Sequence, residues 1–126
     1  MVHHERSESL LLSSTSPAEA RSIVSAFAAE WRIGAAVVER AELVASEIVA
    51  DAVDHGSDAA TLRITLEDDK LELELFDGPR RSAIARSGRD EGVPKIRMRL
   101  VAKVADGSYS SDLGESHYAR YEIHTA

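Results

Sequence analysis

At 126 residues, with 44% hydrophobic and 29% charged residues, the chain fits one domain (1–126) able to bury a core without covalent staples. It contains no cysteine, which excludes disulfides and thiolate metal sites. The net charge of −7 argues against a general nucleic-acid binder, because phosphate neutralisation is the main term in such affinity.

Nothing approaches the roughly 18 consecutive apolar residues of a membrane span. Met1 to Ser9 carries charge without an apolar run, unlike a signal peptide. A soluble, cytoplasmic protein without a membrane partner is therefore expected. The charge is uneven: Arg80, Arg81, Arg86, Arg89, Lys95, Arg97 and Arg99 face only Asp90 and Glu91 between Pro79 and Arg99. That segment reads either as a solvated loop or as a holder of a local anion such as a nucleotide phosphate.

In chain order, Ser9 to Ser13 reads as a short strand. Ser16-Pro17-Ala18-Glu19 supplies serine at N-cap, proline at N1 and glutamate at N3 for a helix running to about Glu30. Ala20, Ile23, Val24, Phe27 and Trp31 follow the i, i+3, i+4 pattern of its apolar face. Gly34 interrupts it. A second helix, from about Ala36 to Asp54, ends at His55-Gly56, where glycine supplies a left-handed stop.

Ala60 to Leu66 and Leu71 to Leu75 alternate at period two across the polar Glu67-Asp68-Asp69-Lys70, the pattern of a hairpin with one buried face. Asp77-Gly78-Pro79 ends the second strand, and Arg80 to Gly92 reads as a loop. A third helix after Pro94 sets Ile96, Leu100, Val101 and Val104 on one face, and Gly107 closes it. Ser108 to Ser110 and Tyr118 to Ile123 read as a final hairpin. The order β-α-α-β-β-α-β-β predicts an α+β two-layer sandwich, a mainly antiparallel sheet covered on one face by three helices.

On the second helix, Val37, Val38, Ala41, Val44, Ala45, Ile48, Val49 and Ala52 fill one apolar arc. Glu47, Asp51 and Asp54 fall on another at i, i+4, i+7, with Asp51 at its margin, and their repulsion is offset in part by Arg40. The face reads as a solvated surface or as a site for a divalent cation with a bound phosphate, with Glu47 as general base. His55 suits the carboxyl end of the helix, where a cationic imidazole meets the dipole.

Glu42 to Gly56 resembles the "ELVxSELVxNAVxHG" helix of the GHKL-type, histidine-kinase-like ATPase domains of actinobacterial anti-sigma-factor serine/threonine kinases. The resemblance extends to Asp77-Gly78 and implies a Bergerat-type ATP-binding fold. It makes Glu47 the catalytic glutamate and puts Asp51, in place of the family's asparagine, on Mg²⁺. His55 falls at the motif's histidine, in the nucleotide-binding set. Asp77 becomes the acceptor for the adenine amino group and Gly78 the point where backbone approaches the base.

The sequence departs from the family in the "GxGLxLV" box, where Lys95 and Arg97 replace both glycines. Either these side chains bind phosphate, or they fill the space and weaken nucleotide binding. The family's late threonine falls at Tyr118. The resemblance thus implies ATP and Mg²⁺ as cofactors and phosphorylation of a small anti-anti-sigma partner, with Arg80 to Arg99 as a lid over the phosphates. The alternative is a nucleotide-independent module of the same fold that sequesters a sigma factor or another regulator. Members of the family commonly form homodimers.

Overall fold

Period-two alternation puts Ala60, Leu62, Ile64 and Leu66 on one side of a strand and Leu71, Leu73 and Leu75 on the same side of its neighbour, and all seven are buried. The computed structural model describes residues 3–79, 92–113 and 116–125, with the backbone alone for 92–96 and 113. Its elements are β1 (His3–Leu11), α1 (Ser16–Glu30), α2 (Ala35–Asp54), β2 (Ala59–Glu67), β3 (Lys70–Asp77), α3 (Gly92–Val104), β4 (Gly107–Leu113) and β5 (Ser116–His124). The strands form one five-stranded sheet in the order β1-β2-β3-β5-β4, with every neighbouring pair antiparallel. The helices pack on one face, so the expected α+β sandwich is the fold.

The core lies between sheet and helices. Ala20, Val24 and Phe27 of α1, Ala41, Val44, Ala45, Ile48, Val49 and Ala52 of α2 and Val101 of α3 meet the inward strand residues, including Ala119, Tyr121 and Ile123 of β5. Each fully buried Leu, Ile or Phe contributes about 1.5–3 kcal/mol relative to exposure. Antiparallel pairing with one covered face explains why hydrophobic alternation was the dominant signal in the strands.

Several local expectations change. The first strand starts at His3, because residues His3 to Leu11 all pair with β2, from His3 opposite Glu67 to Leu11 opposite Ala59. Thr15, not Ser16, is the N-cap of α1, and its side chain makes no capping hydrogen bond. Ser16 is buried instead, with Oγ accepting from Ser13 N at 2.9 Å and donating to Leu11 O at 3.3 Å. It braces the turn from strand to helix. Trp31 is 37% exposed and stacks on His4, ring centroids 3.4 Å apart, rather than joining the core.

Between α1 and α2 the left-handed residue is Arg32 (φ 55), whereas Gly34 is extended (φ −64, ψ 149). Ile33 N closes on Ala28 O at 2.9 Å, the six-to-one bond that ends a helix, and Ile33 then packs against the core. On α3, Leu100 is 43% exposed, and Met98 and Val104 pack against the core beside the buried Val101. The side chain of Ile96 lies outside the described residues. Gly107 opens β4 rather than closing α3, which ends at Val104.

Candidate functional site

The polar arc of α2 faces α3. Arg97 of α3 reaches Glu47 Oε2 through Nε at 2.8 Å and also bonds Asp54 Oδ2 through Nη1. Glu47 and Asp54 stand about two helical turns apart, yet both direct an oxygen to this one guanidinium. Burial works against the charged Arg97, whose side chain is 19% exposed. The bond to Asp54 and the charges of Asp54, Glu47 and Asp51 outweigh that cost and hold its pKa above the usual arginine value. Arg97, expected either to bind phosphate or to fill the space of a family glycine, is here the counter-ion of the acidic helix.

Arg40, expected to soften the acids of its own helix, points the other way. Its Nε and Nη2 donate to Val104 O at 3.1 and 2.8 Å, and Nη2 also meets Asp106 Oδ2 at 2.9 Å. The last carbonyls of a helix need donors, and a cation there is favoured by the dipole. So α3 is tied to α2 near its C-terminus by Arg40 and further back by Arg97.

The C-terminus of α2 carries the motif to the sheet. Gly56 takes φ 76, the left-handed value expected, and Ser57 N bonds Ala52 O at 3.1 Å. This turn buries Ser57, whose Oγ lies 3.3 Å from both Ala59 O and Gly78 O. His55 folds back on its own helix, Nδ1 at 2.8 Å from Asp51 O and 3.4 Å from Asp51 Oδ1. The aspartate expected at the margin of the arc is in fact 7% exposed.

Asp77, the last residue of β3, has no exposed side-chain surface, and its Oδ1 lies 3.2 Å from His117 Nδ1. Register makes this contact: Asp77 pairs with His117 across β3 and β5, on the side facing the helices. Tyr118 pairs with Phe76 on the opposite face, so the residue beside Asp77 is His117. Sequence reasoning missed it. The signal was present in the alternation of 117, 119, 121 and 123, which shares one face with the buried Ala119, Tyr121 and Ile123. At Gly78 an added Cβ would meet Ala59 O at 3.8 Å, an ordinary contact, so internal packing does not demand glycine there.

A second polar cluster lies on the outer sheet face. Glu74 is buried and takes a two-pronged bond from Arg63, Nε at 2.8 Å and Nη2 at 2.9 Å, with Tyr118 Oη donating at 2.6 Å. Burial raises the Glu74 pKa, but these donors outweigh it and hold it below the usual value. Arg63 also lies 5.2 Å from the centroid of the Phe76 ring.

The expected cofactors can be tested against these positions. Mg²⁺ wants oxygen ligands and room for its waters, but Glu47 and Asp54 are turned onto Arg97, and Asp51 lies against His55. Among the described residues no group of three or more His, Cys, Asp or Glu could hold a metal ion. The Asp77 carboxylate, the expected reader of adenine, has no exposed surface and meets His117. The described residues thus present no ready metal set and no open adenine acceptor for MgATP. The side chain of Lys95 and the expected lid residues Arg80, Arg81, Arg86 and Arg89 lie outside the described residues.

No family model matches the chain, and no curated protein matches it. Among solved structures it is similar to the RsbU and RsbW domains of Rv1364c from Mycobacterium tuberculosis, with a TM-score of 0.70 at 12% identity. That match covers 94% of this chain and 32% of the other, so this chain spans about a third of that structure. At such identity the likeness shows the fold. No helix among the described residues is long and apolar enough to cross a membrane.

Proposed function

We propose that this domain is a regulator of the anti-sigma-kinase type that works by binding a protein and has given up phosphotransfer. The observation that carries this reading is the Arg97 guanidinium bonded to both Glu47 and Asp54. A general base must be open to the proton it takes. Glu47 is instead held as the carboxylate of an internal ion pair, beside an aspartate bonded to the same cation. The similarity to an RsbW domain and the motif helix around Glu47 support a sigma factor or an anti-anti-sigma protein as partner.

The experiment is a phosphotransfer assay with labelled MgATP and small anti-anti-sigma proteins, run beside calorimetry of MgATP and of each protein partner. The expected result is stable association with a protein partner, no transfer and no nucleotide binding at millimolar concentration. Transfer of label that disappears in Glu47→Ala would overturn the reading in favour of an active kinase. One observation speaks for that second reading: Glu47 is 27% exposed, so a movement of Arg97 alone would free it.

A further inference from the structure

We propose that the free edge of β4 is a docking strip for an extended, acid-bearing segment of a protein partner, which joins the five-stranded sheet as a further strand. The proposal rests on the regulator reading and deepens it, naming the surface and the chemistry that hold the partner. The strand order leaves two edges, β1 and β4. Each turns a row of backbone N–H and C=O groups away from its one sheet neighbour, and an added strand is what satisfies such a row.

The two edges are built differently. β1 carries His3, His4, Glu5, Arg6 and Glu8, with Arg6 tied to Glu8 at 2.9 Å, and charged side chains of this kind keep other strands away. β4 reads Gly-Ser-Tyr-Ser-Ser-Asp-Leu, without proline or lysine and with one acid, Asp112, near its end. Ser108, Tyr109 and Ser110 are all exposed although their side chains alternate between the two sheet faces. Among the described residues this stretch is therefore uncovered on both faces.

Charge decides what kind of strand fits. Tyr109 is 52% exposed, its ring tilted on Tyr118 with centroids 6.1 Å apart, and the Arg120 guanidinium lies 5.6 Å from its centre. Tyr109 and Arg120 are direct cross-strand partners on the outer face, so Arg120 leans from β5 toward the β4 edge. Arg63 is committed to Glu74 by two hydrogen bonds, whereas Arg120 acts on Glu74 through charge and forms no ion pair among the described residues. An aromatic ring with an arginine over it is typical of the centre of a protein interface. An acid opposite Tyr109 on an added strand meets this guanidinium, and opposite charges across strands stabilise pairing. Asp112, three residues along, is on the other face and turned away from that position.

The probe is a fluorescein-labelled peptide, Thr-Val-Asp-Val-Thr-Val, compared with a twin carrying lysine for aspartate and a fully N-methylated twin, each added to the full native chain. Anisotropy is expected to show saturable binding of the acidic peptide by about 1 mM. The lysine twin is expected to bind about threefold or more weakly, and the N-methylated twin, which lacks backbone donors, not at all. Fast amide exchange is expected to be lost at alternate residues of β4 and to persist in β1. Arg120→Glu is expected to reverse the preference between the charged peptides. Should that variant not fold, Arg120→Gln is expected to abolish the preference. No binding of the acidic peptide, equal binding of either twin, or protection of β1 and not β4 would overturn the proposal, as would a preference unchanged in the folded Arg120 variants.

The outcomes separate from those of the function assay. Phosphotransfer by a native chain that binds the acidic peptide at β4 sinks the regulator reading and leaves the docking edge. A protein partner held without protection of β4 sinks the docking edge and leaves the regulator.

Discussion

His117 Nδ1 lies 3.2 Å from Asp77 Oδ1 because the β3–β5 register sets the two residues directly opposite each other on the covered face of the sheet. A buried carboxylate that loses a hydrogen-bonding neighbour costs about 1–3 kcal/mol. His117→Ala is therefore expected to lower the unfolding free energy by that amount in urea. Asp77→Asn, which keeps one acceptor oxygen, is expected to cost less. A change below about 0.5 kcal/mol in His117→Ala, the range of ordinary surface substitutions, would show that the pair contributes nothing to stability.

The Arg97 contact is testable as a coupling. Arg97→Ala leaves Glu47 and Asp54 facing each other across a partly buried gap, and Asp54→Asn leaves the arginine with Glu47. In a double-mutant cycle, groups in one ion-pair network couple by about 0.5–3 kcal/mol. Urea unfolding of the native chain, both single variants and the double variant is expected to give a coupling inside that range. Additive single effects would mean that the two side chains do not stabilise each other in solution.

The sheet and its core were legible because period-two and period-3.6 patterns report burial, and burial decides register. Thus Leu62, Ile64, Leu71, Leu73 and Leu75 all lie inside, and Gly56 supplies the left-handed stop that the end of α2 requires. Contacts between elements distant in sequence were not legible. Nothing local to Arg97 announces that it meets Glu47, and nothing local to His117 announces Asp77; α3 docking and strand pairing create both. Arg32 shows a different gap: Gly34 does interrupt the two helices, in extended backbone, but nothing in the sequence announces that the left-handed residue there is an arginine.

Gly56 is a case where the conformation itself can be tested. Its φ of 76 lies where a Cβ crowds the following carbonyl, and it closes α2 just before Ser57 reaches Gly78. Gly56→Ala is expected to destabilise the domain by about 1 kcal/mol, the usual cost of a left-handed alanine. Thermal or urea unfolding measures it. An unchanged or raised stability would show that the helix end relaxes without strain.

The outer face offers a pH test whose sign follows from two groups. Burial, together with the hydrogen bond to Glu74, pushes the Tyr118 phenol up to about 12 from the usual 10.0. The fold therefore favours the neutral phenol, and this stabilisation is full below pH 10.0 and is lost as pH rises through about 12. Glu74 runs the other way: its pKa is held below 4.5, so its contribution is present above 4.5 and is lost as pH falls through the lowered value. Subtracting the tyrosinate absorbance of Tyr118→Phe from that of the native chain is expected to leave one titration centred near 12. In Glu74→Gln that titration is expected to move toward 10.0, because the acceptor charge has gone while part of the burial remains. A native midpoint at 10.0 would mean that Tyr118 does not donate to Glu74 in solution.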